Sequence, residues 1–217
     1  MEQRGAGRVE AFSDGVFAIV ITLLVLDLRV PAYEPGGLGE ALRHAWPSYV
    51  AFTVSFVYIG ILWLNHRALF KHIRSTSLGL NWVNLGLLFG AVILPFPTAV
   101  LAEALGEAGD ETDLRVAVIF YAAVAAFMSA TWLVLFVYLD RHRGLLEPES
   151  PTWARAQFSR PITGVVLYLL AVLIAWLASP ELGLISIVFM IIYHAVTSEG
   201  VHESPLARLR RPRPPTG

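Results

Sequence analysis

The chain has 217 residues, a formal net charge of −1, 56% hydrophobic residues and 15% charged residues. Soluble domains carry about 25% charged residues, so this composition excludes an ordinary water-soluble core and points to a bilayer, while the balanced charge offers nothing to a nucleic acid. The absence of cysteine excludes disulfides, thiolate metal sites and cysteine nucleophiles.

A helix crosses the roughly 30 Å hydrocarbon core in about 20 residues. Six stretches are expected to do so: residues 12–28, 47–64 (with helix continuing to 70), 78–102, 114–139, 162–178 and 182–196. The first, fifth and sixth are short, and call for a thinned bilayer, polar extensions or shielding by neighbours. Between them lie turn-like segments at 31–39, 103–113 and 147–151. Ser179, Pro180 and Glu181 form so tight a connection that spans five and six should make an antiparallel hairpin. Pro95 and Pro97 fall inside the third span, where proline removes an amide donor and predicts a kink. No internal repeat is visible. The expected fold is therefore all-α, a single six-helix membrane domain over 1–200, followed by a basic, proline-rich and disordered tail over 201–217.

Basic residues set the orientation. With the amino terminus in the cytoplasm, Arg4, Arg8, Arg67, Lys71, Arg74, Arg141, Arg143, Arg155, Arg160, Arg208, Arg210, Arg211 and Arg213 all fall inside, and of the 16 basic residues only Arg29, Arg43 and Arg115 fall outside. Both termini are thus expected to be cytoplasmic. A basic start followed by an apolar run from Val16 to Leu26 also fits a signal peptide. Against that stand Asp14, which abuts the run, and the lack of a small-residue cleavage site after Leu28.

The most informative stretch opens the first span: Arg8-Val9-Glu10-Ala11-Phe12-Ser13-Asp14-Gly15. A carboxylate close to hydrocarbon costs up to about 3 kcal/mol, so Asp14 needs a partner. Asn65 and His66 at the end of span two, and Trp82 and Asn84 at the start of span three, lie on the same side of the membrane and are the candidates. Alternatively Ser13 or Asp14 simply caps the helix. Further along, Ile19, Leu23 and Leu26 are spaced by four and three and stack on one face, with Thr22 beside it. In a membrane helix such a row is ordinarily packing or lipid contact. Asp27 closes the apolar run on the outer side, either as a charge that attracts cations to an outer mouth or as a solvated interfacial charge. The acidic loop Glu103, Glu107, Asp110, Glu111 and Asp113 lies on the same side.

Arg8, Phe12, Ser13 and Asp14 match the R-x-x-x-F-S-D signature, and the segment resembles the opening of the transmembrane protein 175 family of potassium channels. Trp63-Leu64-Asn65-His66-Arg67 and Pro95-Phe96-Pro97-Thr98 are similar to that family's second and third helices. The resemblance implies a prokaryotic single-repeat form in a cell membrane, assembled as a homotetramer. Its first helices would line a pore without a carbonyl filter, with Ile19 at the narrowest ring, Leu23 and Leu26 as further apolar rings, and a Thr22 layer linked to potassium preference. Consistent with this, the chain has no T-V-G-Y-G-like segment. An apolar constriction selects by the cost of stripping water from the ion, and sodium holds its shell more tightly than potassium. No cofactor is implied beyond the permeant potassium ion; the partners are the bilayer, monovalent cations and further copies of the chain.

Two function classes compete. A secondary transporter places ionisable or unwound segments at mid-membrane, and the middles of spans one, two, four, five and six lack charge. There is no H-E-x-x-H, G-x-S-x-G or phosphate-cradling glycine loop, so an enzyme has no support. His66 and His72, six apart, are the nearest approach to metal-ligand spacing. His66 reads better as an interhelical hydrogen-bond partner that could confer pH sensitivity. The tryptophans gather near span ends, as an interfacial belt does.

Overall fold

The computed structural model describes residues 3–106, 110–148 and 150–198. The tail over 201–217 and Glu107 of the acidic loop lie outside the described residues. The elements are α1 (Gln3–Leu23), a 3-10 turn (Leu24–Asp27), α2 (Leu38–His44), α3 (Trp46–Phe70), α4 (Leu78–Ile93), α5 (Pro95–Ala104), α6 (Glu111–Arg141), a second 3-10 turn (Arg143–Leu145), α7 (Pro151–Ala156), α8 (Ser159–Leu177) and α9 (Pro180–Thr197). Among the described residues six segments are long and apolar enough to cross a membrane: Ala6–Asp27, Trp46–Phe70, Leu78–Ala104, Glu111–Arg141, Trp153–Leu177 and Pro180–Thr197.

Local chemistry sets the boundaries. Ser77 Oγ accepts from Leu80 N at 3.1 Å, Asp110 Oδ1 from Asp113 N at 2.9 Å, and Ser179 Oγ from Leu182 N at 3.2 Å, so α4, α6 and α9 each begin on a side-chain cap. Pro180 follows its cap at the first helical position, where a missing N–H costs nothing. The third span breaks where the prolines predict. Pro95 has no N–H for the Ala91 carbonyl, and Leu94 N serves it instead at 3.2 Å, ending α4 one residue before α5 begins.

Two expectations need correction at helix starts. α1 begins at Gln3, far ahead of residue 12, because the apolar run marks where the helix meets hydrocarbon and not where it starts. Ser13 and Asp14 are therefore mid-helix, and neither is a cap. The fifth span likewise gains a preface in α7, so it is not short. Hydropathy also passed over α2, a polar two-turn helix between the first two spans.

α6 is the central post. Ala117, Ala122, Ala125, Met128, Leu135 and Leu139 are fully buried along it, and it packs against α4, α5, α8 and α9. Small residues let these helices approach closely, which is how helices associate where lipid removes the hydrophobic drive. α8 and α9 form the expected hairpin, and a Cβ placed on Gly183 of α9 would stand 2.7 Å from the Ala175 Cβ of α8. A buried hydroxyl cluster links three helices: Ser55 Oγ of α3 lies 2.8 Å from Thr98 Oγ1 of α5 and 3.1 Å from Tyr121 OH of α6. By contrast α1 touches only α3, α4 and the turn that ends it in any quantity, and is the least buried of the six spans.

Candidate functional site

α1 has two faces. Ala6, Ser13, Phe17 and Val20 are buried on the side that packs against α3 and α4, and Leu24, at the start of the following 3-10 turn, on the side that packs against α3 and α5. Arg8, Phe12, Gly15, Ile19, Thr22 and Leu26 are exposed and recur at intervals of three and four, a continuous stripe directed away from the subunit. Ile19 is 60% exposed and Leu26 67%, against 1% for Phe17, Val20 and Leu24. Leu23 belongs to the stripe at 41%. The Thr22 hydroxyl donates to the carbonyls of Ala18 (3.1 Å) and Ile19 (2.8 Å). Its proton is thus committed to the backbone, and its oxygen presents lone pairs on the stripe, the polarity a cation requires.

The buried face is pinned by two sets of hydrogen bonds. In the first, His66 Nε2 donates to Asn84 Oδ1 (2.9 Å), Asn84 Nδ2 donates to Ser13 Oγ (3.0 Å), and Ser13 Oγ donates to the Val9 carbonyl (2.9 Å). Donor follows acceptor without conflict from α3 through α4 to α1. The His66 ring is held between Phe70, stacked at 4.5 Å, and Phe17, edge-on at 5.4 Å. Ser13, His66 and Asn84 are all fully or almost fully buried. In the second set, Trp63 Nε1 donates to Asp14 Oδ1 at 2.8 Å, and the Arg67 guanidinium lies 5.5 Å from the centre of the Trp63 ring. Asp14 thus meets a neutral donor backed by a cation.

Sequence reasoning missed this partner. Among the described residues none of the four candidates hydrogen-bonds Asp14: His66 and Asn84 serve Ser13, Asn65 Oδ1 accepts from Ser198 Oγ beyond α9 (2.8 Å), and Trp82 is 67% exposed with no hydrogen bond. The signal was available. Trp63 and His66 are three apart and share a face of α3, whereas Asn65 points elsewhere. Arg8 and Phe12 also stand apart from the network, on the exposed stripe. Gly15 is exposed there too, and a Cβ added to it would meet nothing within 4 Å.

At the other end of α1, Asp27 borders a wide depression of about 990 Å³, shared with Arg29, Glu34, Glu40, His44 and Glu103. It is therefore one charge among several of both signs. His72 does not join His66: its Nδ1 lies 2.8 Å from Ser150 Oγ and its ring stacks on Trp153 at 3.9 Å. Among the described residues no group of His, Asp and Glu is arranged to hold a metal.

Known proteins resemble this chain in sequence and fold. Residues 8–95 match the family described as endosomal/lysosomal potassium channel TMEM175. A potassium channel of Streptomyces collinus is 43% identical over 178 residues, 81% of this chain and 84% of that protein. The endosomal/lysosomal proton channel TMEM175 of Rattus norvegicus is 34% identical over 153 residues, 65% of this chain but only 30% of the rat protein. The crystal structure of a lysosomal potassium-selective channel TMEM175 homolog from Chamaesiphon minutus superposes with a TM-score of 0.76 at 36% identity, covering 89% of this chain and 98% of that one.

Proposed function

Because the chain belongs to the TMEM175 channel family, we propose that it is a subunit of a potassium-conducting channel in a bacterial cell membrane, with both termini in the cytoplasm. Four copies surround one axis, and the exposed stripe of α1 lines the conduit. Ile19, Leu23 and Leu26 squeeze the passing ion with apolar side chains, and Thr22 supplies a ring of oxygens among them. The two-faced character of α1 carries the reading. A helix that buries one side against α3 and α4 and leaves Ile19 and Leu26 more than half exposed offers a second face that further copies of itself can cover. Dehydration at such a constriction favours the ion that gives up its shell more readily, potassium over sodium.

Reconstitution into liposomes with an outward potassium gradient tests the function. The expected result is flux driven by the gradient alone once a protonophore balances charge; flux that needs a second solute identifies a transporter instead. The natural lack of cysteine makes single-cysteine variants clean probes of the lining. Ile19→Cys is expected to lose flux on exposure to a charged thiol reagent. An α1 turned toward lipid leaves that flux intact.

A further inference from the structure

Inside the subunit α3, α6, α7, α8 and α9 enclose a cavity of about 60 Å³, with Leu69 and Met128 among its apolar walls. Three polar side chains line it from two helices. Ser129 and Trp132 are buried one turn apart on the same face of α6, and His194 comes from α9. Gly164 of α8 shows that two of them converge: a Cβ placed on it would stand 2.6 Å from Ser129 Oγ and 3.2 Å from His194 Nε2, so both atoms occupy a patch that a side chain would fill. Trp132 is 8% exposed, and its indole Nε1–H meets no acceptor among the described residues. His194 makes ring contacts with Tyr168 and Tyr193 and no hydrogen bond among the described residues. A buried N–H without an acceptor is costly, and a donor kept unmet beside open space leaves a place for an acceptor that arrives separately.

We propose that this cavity binds a small neutral alcohol, its oxygen accepting from the Trp132 N–H, its proton donated to His194 Nε2, and its alkyl group against Leu69 and Met128. A hydroxyl is the smallest neutral group that both accepts and donates, and a neutral imidazole keeps one nitrogen as an acceptor. The walls select against charge. An ion brought among apolar side chains pays far more desolvation than a hydroxyl does, and Arg160 at the rim is engaged by Gln157 Oε1 at 3.1 Å. Volume selects the size. The space is about four to six times the roughly 10–15 Å³ that one water occupies, which suits about four to six heavy atoms.

1-Butanol is the probe, titrated into the full chain in detergent and followed by NMR of nitrogen-labelled indole groups. The chain has six tryptophans; the Trp132 peak is assigned by its loss in Trp132→Phe, and the others report simple partition into the micelle. A saturable downfield shift of the Trp132 N–H proton alone is expected. Diethyl ether, an isomer that accepts but cannot donate, should bind about three- to tenfold more weakly, the worth of one hydrogen bond, and butyrate should not bind. His194→Phe keeps a ring and removes the acceptor, so butanol should fall to the affinity of ether there while ether is unchanged. A Trp132 peak that stays still or drifts in step with the others overturns the proposal. So does butyrate binding that matches butanol, or a preference for butanol over ether that survives in His194→Phe. Should that variant fail to fold, the comparison in the parent chain decides alone: equal affinity for butanol and ether overturns the proposal.

Discussion

The indole nitrogen of Trp63 donates to the carboxylate of Asp14 at 2.8 Å, joining α3 to α1 one residue after the Ser13 hydroxyl meets Asn84. Two neighbouring residues of α1 thus point to two different helices, and together they fix the rotation of α1 about its own axis. Trp63→Phe keeps the ring and removes the donor, leaving a partly buried carboxylate unpaired. A loss of about 1–3 kcal/mol follows. Asp14→Asn retains an acceptor and should cost less. Melting of the purified variants in detergent checks the order, and equal melting temperatures for the parent and Trp63→Phe would count against any anchoring role.

The chain of donors from His66 through Asn84 to Ser13 behaves as one unit if its members support each other. Ser13→Ala and Asn84→Ala each strand a buried partner. The double variant should be less damaged than the sum of the two, with a coupling of about 0.5–3 kcal/mol. Additive effects in a double-mutant cycle would mean that the bond contributes little in its bilayer setting, where interhelical hydrogen bonds average about 0.6 kcal/mol.

On the exposed stripe, Ile19→Asn replaces an apolar side chain with a wettable one. Single-channel recording should show a larger conductance or weaker preference for potassium over sodium. Leu23→Asn should act in the same direction. Unchanged currents in both would place the constriction elsewhere.

Thr22 isolates the role of one oxygen. Thr22→Val keeps the shape and deletes the lone pairs on the stripe, so potassium preference should fall in reversal-potential measurements. Thr22→Ser restores the oxygen and should restore the preference. A parental ratio in the valine variant would reduce Thr22 to a packing residue whose hydroxyl only serves the Ala18 and Ile19 carbonyls.

Gly183 tests the close approach of α8 and α9. A methyl there meets Ala175 Cβ at 2.7 Å, Val118 Cγ1 at 3.1 Å and the Ala171 carbonyl at 3.2 Å. Gly183→Ala should destabilise by about 1–3 kcal/mol, the usual cost of overpacking. Adding Ala175→Gly relieves the shortest contact and should recover part of the loss in the same melting assay.

The six spans were legible because hydrocarbon demands long apolar runs, and Pro95 announced its break through a missing amide. Helix starts were not legible in the same way. The stretch from Gln3 to Ala11 includes glycine, arginine and glutamate, and nothing in its hydropathy marks a helix that runs on beyond the apolar stretch. The Ser13 network could be anticipated from side of membrane alone, whereas the choice between Trp63 and Asn65 for Asp14 depended on rotation about α3. Thr22 and Ile19 could be assigned to a common stripe by period, but the burial of Phe17, Val20 and Leu24 was what identified which stripe turns outward.

Uniform 100° steps along α1 stop being valid at Leu24, where the chain tightens into a 3-10 turn through Asp27. Three residues per turn replace 3.6, so three steps carry a side chain about 60° further around the axis than an α-helix would. Leu26 therefore sits directly above Leu23 instead of returning to the azimuth of Ile19. A residue-by-residue labelling map of this segment should change its repeat at that point, and alignment of Asp27 by a simple helical wheel would misplace it by about 80° around the stem.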